Sequence, residues 1–253
     1  MSALRALLFD VDGTLADTER DGHRVAFNAA FAEAGLDWHW TAAFYGELLA
    51  VAGGKERIRY YLERYNTSFQ APGDLDGFVA ELHAAKTRIY TQMLENGEIP
   101  LRPGVERLLQ EARQQNLRLA IATTTTPVNV LALLEHSLAP DAAAWFDVIA
   151  AGDMVPAKKP APDIYHYALR ELGVRPEDCL AFEDSEHGLR AALGAGIRTI
   201  VTVNDYTYNH DFSGAELVLD QLGEPGRPFA VLQGDAHGAE YVNLELLRRI
   251  HGG

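Results

Sequence analysis

The chain has 253 residues, of which 47% are apolar and 23% charged, and this composition is ordinary for a globular protein with a sizeable core. Asp and Glu total 36 against 22 Lys and Arg, and the resulting net charge of −14 disfavours binding to nucleic acids or to anionic membranes. The single cysteine, Cys179, excludes an intrachain disulfide framework and a multi-cysteine zinc site.

Short apolar runs recur along the chain and predict the strands of a parallel sheet. The first run, residues 3–9, stops at Asp10, as expected of a strand buried on both faces. Later runs have the same character: 117–122, 146–151, 179–182, 198–203 and 216–219. Helical patterns lie between them, and one of these stops at Gly173, a residue type that favours helix ends. The alternation predicts an α/β fold with a doubly wound, Rossmann-like parallel sheet.

Residues 20–97 break this alternation because they contain helical patterns only. Amphipathic stretches in this region cover residues 25–34, 55–65 and 74–96. Glycines and prolines between residues 97 and 104 suit a hinge. We therefore predict an inserted all-helical domain over residues 18–97, a core of residues 1–17 and 98–225, and a C-terminal extension over residues 226–253.

Four polar clusters follow the predicted strands or lie in the loops beyond them: Asp10 to Thr14, Thr123 to Thr126, Lys158 to Pro160, and Glu183 to Ser185. Because ligands of open α/β sheets bind beyond the carboxyl ends of the strands, this topology is expected to gather the clusters at one edge. Carboxylate oxygens suit Mg²⁺, whereas hydroxyls, a lysine and helix N-termini suit phosphate oxygens. The sequence therefore predicts a site for Mg²⁺ and a phosphate group.

A carboxylate that attacks a phosphate ester needs cations nearby. Two such charges about 4 Å apart repel each other by roughly 4 kcal/mol at an effective dielectric constant near 20. One Mg²⁺ beside Asp10, with Lys159 on the other side of the phosphate, would neutralise both partners. Phosphoryl transfer depends mainly on positioning and charge stabilisation, and these residue types suit it.

Each cluster taken alone also has a purely structural interpretation. Asp10 and Asp12 could form a solvated turn, and the threonine run could cap a helix that begins near Pro127. The lysine pair could be exposed charges, and Glu183 to Ser185 could cap the helix that follows. Together and in this order, the four clusters favour a catalytic site.

The same clusters resemble the four motifs of the haloacid dehalogenase (HAD) superfamily, with Thr123 and the Lys159-Pro160 pair as the second and third motifs. The all-helical insertion after the first motif resembles the C1 cap of β-phosphoglucomutase-like phosphatases. Further segments are similar to the CbbY family: 53–58, 85–87, 122–126 and 151–155. The resemblance extends over residues 3–220. It implies a phosphatase that acts on xylulose-1,5-bisphosphate, an inhibitor of the carbon-fixing carboxylase.

The resemblance also implies a role for each core motif. Asp10 would be the nucleophile that becomes an aspartyl phosphate, and Asp12 would protonate the leaving sugar oxygen and then activate water. Lys159 would neutralise the transferring phosphate. The residues that hold or orient this phosphate would be Thr123, Thr124 and Asn129. The cofactor would be Mg²⁺, held by Asp10, the backbone carbonyl of Asp12 and Asp184. Glu183 would be either a further ligand or a residue that contacts the ligands.

In the helical insertion, the resemblance implies substrate contacts from Glu19, Tyr45, Lys55, Arg57 and Lys86. The two lysines would bind a second phosphate group, which favours a bisphosphate as the substrate. The segment between Thr18 and His23 is one residue longer than the family pattern. The family pattern therefore does not determine the register of Glu19 and His23.

Other functions remain compatible with the sequence. A β-phosphoglucomutase-like phosphomutase would share every core residue but return the phosphate to the sugar. A non-enzymatic phosphoryl receiver or phosphosugar-binding regulator would also use aspartates, Mg²⁺, Thr and Lys, although receivers lack a helical insertion after the first strand. A dehalogenase is disfavoured, because carbon–halide chemistry needs no Mg²⁺ and usually lacks the second acid at Asp12.

The expected partner is a phosphorylated sugar, with no nucleic acid or membrane partner, and the expected assembly is a monomer or weak dimer. No apolar run reaches the length of a membrane span. The run before Asp10 is too short for the core of a signal peptide. The sequence therefore predicts a cytoplasmic protein.

Overall fold

The computed structural model describes residues 3–252, which fold as two compact units. One, the α/β unit, comprises residues 3–17 and 99–252, and the other, the helical unit, comprises residues 18–98. Within the described chain, no helix combines the length and the apolar character that crossing a bilayer requires.

The α/β unit is built on a sheet with the strand order β3-β2-β1-β4-β5-β6-β7. Its strands are β1 (Ala6–Phe9), β2 (Arg118–Ala122), β3 (Val148–Ala150), β4 (Cys179–Glu183), β5 (Arg198–Thr202), β6 (Leu217–Leu219) and β7 (Val231–Gly234). Neighbouring strands are parallel, except that β7 is antiparallel to β6. The predicted doubly wound α/β fold is confirmed, and each predicted apolar run coincides with a parallel strand to within a few residues.

The helices divide between the two units. The helical unit contains α1 (Arg24–Glu33), α2 (Ala42–Leu48), α3 (Gly54–Arg64) and α4 (Leu75–Glu95). The α/β unit contains α5 (Val105–Gln114), α6 (Pro127–Ser137), α7 (Asp163–Leu172), α8 (Glu186–Gly194) and α9 (Leu244–Gly252). The sequence analysis did not predict α2, whose seven residues are too few to show a helical period. The segment from residue 226 onward supplies β7 and α9 to the α/β unit.

Strand β1 lies inside the sheet and is buried on both faces, as its unbroken apolar run predicts. Phe9 is level with Ile121 of β2 on one side and with Phe182 of β4 on the other. The rings of Phe9 and Phe182 stack with their centroids 4.6 Å apart. Because the three strands are level here, the polar residues that follow them emerge at one edge of the sheet.

An aromatic core stabilises the helical unit. Phe27 and Phe31 of α1 contact Trp40, with ring centroids 4.9 and 4.8 Å from that of Trp40, and Tyr45 of α2 joins the same cluster. Asn28 fixes the chain at this point, because its side chain donates to the Trp40 carbonyl at 2.9 Å and accepts from the Trp40 N–H at 2.8 Å. These contacts place α2 beside α1.

The segment between Thr18 and His23 departs from regular α-helical geometry. Residues Thr18–His23 form a π-helical turn directly before α1. A π-helical hydrogen bond spans one more residue than an α-helical one, and the regular helix α1 begins directly after this turn. In this turn, Glu19 lies beside Tyr45 and His23 lies beside Lys86.

Cys179 opens β4 in the interior of the sheet, and its Sγ donates to the Arg175 carbonyl at 3.3 Å. Burial, with a further contribution from Asp178, raises the pKa of this thiol to about 12, so the reactive thiolate is scarce at neutral pH. We expect iodoacetamide at pH 8 to leave the folded protein unmodified and to alkylate it once after unfolding in urea. Intact-mass spectrometry measures both reactions. Rapid modification of the native protein would contradict the buried position of Cys179.

Candidate active site

Carboxylates emerge side by side from the ends of β1 and β4. Asp10 follows β1, and its N–H donates to the Phe182 carbonyl at 3.0 Å, which extends the pairing of the two strands by one residue. Glu183 is the last residue of β4, and Asp184 follows it. One oxygen from each of these three carboxylates lies within 4.8 Å of the other two. The structure therefore brings the first and fourth sequence clusters together.

Lys159 contacts two of these carboxylates. Its Nζ is 2.6 Å from Asp10 Oδ1 and 2.6 Å from Glu183 Oε1, and its side chain is 8% exposed. Burial alone would lower the pKa of Lys159, but the charges of Asp10 and Glu183 outweigh it and raise the pKa above its ordinary value. Lys159 is therefore a permanent cation. The neighbouring Lys158 is exposed and pairs with Asp153, so Lys159 is the lysine that reaches the carboxylates.

The two oxygens of the buried Glu183 have different surroundings. Oε1 accepts from the Tyr165 hydroxyl of α7 at 2.5 Å as well as from Lys159. Oε2 has no hydrogen-bond partner among residues 3–252 and lies against Gly188 of α8, where a side chain would collide with it. Burial raises the pKa of Glu183 to about 7; Lys159 opposes this rise and Asp10 adds to it.

The composition of this cluster fits a hard divalent cation. Three carboxylates face one ammonium group, and burial together with repulsion from Asp10 and Glu183 raises the pKa of Asp184 well above its usual range. One oxygen of these three carboxylates, the buried Glu183 Oε2, also lacks a hydrogen-bond partner among the described residues, and a cation nearby would stabilise it. Oxygen is the ligand type that Mg²⁺ prefers. The residues present therefore fit a Mg²⁺ site.

A cavity of about 270 Å³ opens beside the cluster in the α/β unit. Its lining consists of Asp10, Asp12, Thr124, Lys159, Asp184, Ser185 and His187. Ser185 also caps α8, because its hydroxyl accepts from the Gly188 N–H at 3.2 Å. Carboxylates, hydroxyls and an ammonium group thus surround a space that suits a phosphate group.

The threonines of the run have different positions and contacts at this cavity, although they are identical in sequence. The Thr125 hydroxyl donates to Asp12 Oδ2. Thr124 lines the cavity, whereas Thr123 is buried and its hydroxyl accepts from the Thr125 N–H at 3.3 Å. Asn129 lies in the first turn of α6 and is not part of the described lining.

Three of the predicted substrate contacts form a chain of hydrogen bonds within the helical unit. The Tyr45 hydroxyl donates to Glu19 Oε2 at 2.6 Å, and Arg57 Nη1 donates to the Tyr45 hydroxyl at 2.7 Å. Arg57 also donates to the carbonyls of Leu48 and Val51 at 3.3 and 3.4 Å. Because Tyr45 and Arg57 are both buried, packing as well as hydrogen bonding fixes this chain.

Lys86 and His23 form a second polar pair in the helical unit. Lys86 Nζ lies 2.7 Å from His23 Nδ1 and 5.1 and 5.0 Å from the ring centres of Phe27 and Tyr90. Burial, reinforced by the charge of Lys86 and opposed by that of a nearby glutamate, lowers the pKa of His23 to about 3. The imidazole is therefore neutral, and Nδ1 accepts from the ammonium group. Lys55, in contrast, is exposed.

The sequence analysis missed several residues around the carboxylate cluster. Tyr165 lies on the buried face of α7, where the helical pattern gives no sign that its hydroxyl contacts Glu183. Thr125 belongs to the predicted threonine cluster, but the family resemblance gave roles only to Thr123 and Thr124. His187 lies two residues after the last polar cluster, and this nearness is the signal that could have identified it.

Comparisons with known proteins agree with this architecture. The family model for haloacid dehalogenase-like hydrolases matches residues 4–196. The chain is 48% identical over 251 residues to "Protein CbbY, plasmid" of Cupriavidus necator, and the match covers 99% of this chain and 98% of that protein. The crystal structure of CbbY from Rhodobacter sphaeroides in complex with phosphate is 50% identical, with a TM-score of 0.69 over 86% of this chain and 94% of that one. A mutant of the R. sphaeroides protein in complex with xylulose-(1,5)bisphosphate is 49% identical, with the same TM-score of 0.69 and the same coverage, 86% and 94%.

Proposed function

Because the chain belongs to the haloacid dehalogenase-like hydrolase family, we propose that it is a phosphatase that dephosphorylates xylulose-1,5-bisphosphate through an aspartyl phosphate on Asp10. The observation that carries the proposal is the carboxylate cluster: Lys159 lies 2.6 Å from Asp10, beside Glu183 and Asp184. The choice of substrate is supported by the likeness to CbbY of R. sphaeroides, whose mutant was crystallised with this bisphosphate.

In the first step, an oxygen of Asp10 attacks the phosphorus atom of the substrate. A bond forms between phosphorus and Asp10, and the bond between phosphorus and the sugar oxygen breaks. Asp12 donates a proton to the departing oxygen, so this oxygen leaves as an uncharged hydroxyl group of the sugar monophosphate. The hydrogen bond from Thr125 orients the Asp12 carboxyl group for this transfer.

In the second step, the aspartyl phosphate is hydrolysed. Asp12, which is now a carboxylate, takes a proton from a water molecule while the water oxygen attacks phosphorus. The bond between phosphorus and Asp10 breaks, Asp10 regains its carboxylate and inorganic phosphate leaves. The two steps together consume one water and return both aspartates to their starting state.

Cations and donors hold the transferring phosphate. Lys159 neutralises its charge, and Thr123, Thr124 and Asn129 are proposed to hold or orient its oxygens. We assign the Mg²⁺ ligands to Asp10, the backbone carbonyl of Asp12, Glu183 and Asp184. When bound, Mg²⁺ neutralises charge on the nucleophile and on the phosphate, which otherwise repel each other.

The helical unit is proposed to bind the rest of the substrate. Glu19, Tyr45 and Arg57 form a preorganised row of polar groups that suits sugar hydroxyls. Lys55 and Lys86 are assigned to the second phosphate group. Lys86 is held by His23, whereas the exposed Lys55 is free to move toward a ligand.

A phosphate-release assay over a panel of sugar phosphates tests the substrate. Charge-assisted hydrogen bonds contribute about 1.5–3 kcal/mol each, so a bound second phosphate should raise kcat/KM at least about tenfold. We expect xylulose-1,5-bisphosphate to exceed xylulose 5-phosphate, hexose phosphates and triose phosphates by this margin, and excess chelator to abolish turnover. Similar kcat/KM values for all of these sugar phosphates would contradict the assignment of xylulose-1,5-bisphosphate as the substrate. Formation of an isomeric sugar phosphate in place of free phosphate would identify a mutase.

A variant of Lys55 provides the control for the second phosphate. Lys55→Met should raise KM for the bisphosphate about tenfold, because one charge-assisted contact is lost. Turnover of p-nitrophenyl phosphate, which has a single phosphate group, should not change. Arg64→Met removes an exposed cation from the other end of α3 and should leave both substrates unaffected. Equal KM values for wild type and Lys55→Met would exclude Lys55 from the site.

A further inference from the structure

Asn204 lies beside the carboxylate cluster although neither the motifs nor the proposed mechanism uses it. Val201 of β5 is level with Glu183, the last residue of β4. Asn204 follows β5 closely and therefore emerges at the same edge of the sheet as Asp184. Its Nδ2 donates to Asp184 Oδ2 at 2.8 Å. This contact joins the loop after β5 to a proposed Mg²⁺ ligand.

The orientation of the Asn204 amide is determined by its other contact. Its Oδ1 accepts from the Tyr206 N–H at 2.9 Å, so the oxygen is already engaged and the NH₂ group must face Asp184. A flipped amide would lose both hydrogen bonds and would place two oxygens against each other. Asn204 is therefore a fixed donor to Asp184.

The backbone of Asn204 is also held in place. Its N–H donates to the Thr207 hydroxyl at 3.1 Å, and the Thr207 N–H donates back to the Asn204 carbonyl at 3.2 Å. Thr207 is buried, which shields this reciprocal pair from water. The loop thus presents the amide of Asn204 on a rigid turn.

Gly13 leaves the space that Asn204 needs. Its φ of +85° is one that side chains disfavour, and a Cβ there would lie 2.6 Å from Asn204 Nδ2 and 2.8 Å from Asp184 Cγ. The buried Arg102 ties both chain segments together, because it donates to the Gly13 carbonyl and, at 2.6 Å, to the Val203 carbonyl. The loop that carries Asp10 and the loop that carries Asn204 are therefore fixed against each other.

We propose that Asn204 is a positioning residue for the divalent-cation site: it binds one oxygen of Asp184 and so holds the other in place for the cation. This inference rests on the proposed function, in which Asp184 is a Mg²⁺ ligand. A neutral donor suits the task, since it restrains a carboxylate that Asp10 and Glu183 repel and adds no further negative charge. Without Asn204, the Asp184 side chain would be free to rotate away from its neighbours.

Direct measurement of cation binding tests the proposal without reference to turnover. The full-length protein is titrated with Mn²⁺, and free Mn²⁺ is counted by electron paramagnetic resonance. Loss of a group that orients a metal ligand typically weakens binding by about 10- to 100-fold, so Asn204→Ala should raise the Mn²⁺ dissociation constant at least about tenfold. Asn209→Ala, an exposed asparagine of the same connection, should bind Mn²⁺ like the wild type.

A variant of Thr207 tests whether the loop influences Mn²⁺ binding through Asn204. Thr207→Val removes the hydroxyl that holds the Asn204 backbone and should weaken Mn²⁺ binding in the wild type. The same change should have no further effect in Asn204→Ala, because the donor is already gone. If Thr207→Val weakened Mn²⁺ binding equally in the wild type and in Asn204→Ala, the loop would support the fold rather than the position of Asp184.

The outcomes separate this inference from the proposed function. If the wild type binds Mn²⁺ and Asn204→Ala binds it within twofold, the positioning role is wrong while the metal site stands. If Asn204→Ala lowers only the melting temperature in chelator and leaves Mn²⁺ binding intact, its role is structural and the inference is likewise overturned. If the wild type itself binds no Mn²⁺, both the inference and the proposed metal site are wrong.

Discussion

Replacement of Asp10 by Asn is expected to lower kcat for phosphate release by about four orders of magnitude or more, without loss of the fold. Removal of the nucleophile eliminates the covalent route, and enzymes that lose their nucleophile fall by factors of this order. The amide keeps the shape of the carboxyl group, and its oxygen can still accept from Lys159, which lies 2.6 Å from Asp10 Oδ1. The assay measures inorganic phosphate released from xylulose-1,5-bisphosphate in the presence of Mg²⁺.

The same variant also tests the covalent intermediate. Acid-quenched wild type should carry a phosphate that hydroxylamine removes, and Asp10→Asn should carry none. Asp141→Asn, an exposed aspartate in the α/β unit, serves as the matched control and should keep wild-type turnover. If Asp10→Asn released phosphate at more than a tenth of the wild-type rate, Asp10 would not be the nucleophile.

The position of the carboxylate cluster was accessible from sequence because one physical rule governs it. Strands buried on both faces appear as unbroken apolar runs, and the polar residues after them must emerge at the carboxyl edge of a parallel sheet. The apolar run before Asp10 and the run before Glu183 become β1 and β4, which are direct neighbours. Convergence of Asp10, Glu183 and Asp184 then follows from topology alone.

Contacts that depend on side-chain packing were not accessible in this way. Tyr165 has the spacing of a core residue on α7, and the pattern does not reveal that its hydroxyl reaches Glu183 at 2.5 Å. Asn204 follows an apolar run just as Asp10 does, so the signal was present, but an amide is less distinctive than a carboxylate. Its role becomes visible only through its contacts with Asp184 and Tyr206.

The helical unit illustrates a different limit. Amphipathic periods indicate α1, α3 and α4, because each has enough turns to show its apolar face. Residues Thr18–His23 form a π-helical turn, which a regular helical period cannot represent. The contacts of Glu19 with Tyr45 and of His23 with Lys86 therefore required the three-dimensional structure.

Replacement of Lys159 by Met is the second change with a large expected effect, on stability as well as activity. Its side chain is 8% exposed and its Nζ lies 2.6 Å from both Asp10 Oδ1 and Glu183 Oε1. Met retains most of the apolar stem but leaves these buried carboxylates without their cation. Loss of one partner of a buried ion pair typically costs about 3–5 kcal/mol. We expect a decrease of this size in the unfolding free energy, measured by urea denaturation in chelator.

The adjacent Lys158 is a closely matched control, because it has the same side chain in a different environment. It is 58% exposed and pairs with Asp153 on the surface, where salt bridges contribute little. Lys158→Met should therefore change the unfolding free energy by less than about 0.5 kcal/mol. If Lys159→Met lowered the unfolding free energy by less than about 1 kcal/mol, the stability of the carboxylate cluster would not depend on the Lys159 ammonium group.

Repeating the Lys159→Met measurement with Mg²⁺ connects this stability to the proposed site. A ligand that binds only the folded state stabilises it in proportion to the logarithm of its concentration relative to Kd. Without the Lys159 ammonium group, the cluster of Asp10, Glu183 and Asp184 has a more negative net charge. Mg²⁺ should therefore bind the variant more tightly than the wild type. The stability difference between the two proteins should therefore be smaller in 10 mM Mg²⁺ than in chelator. If the difference in unfolding free energy were the same in Mg²⁺ and in chelator, Mg²⁺ and Lys159 would not act on the same charges. Phosphate release by Lys159→Met should be lost with Mg²⁺ as well as without it.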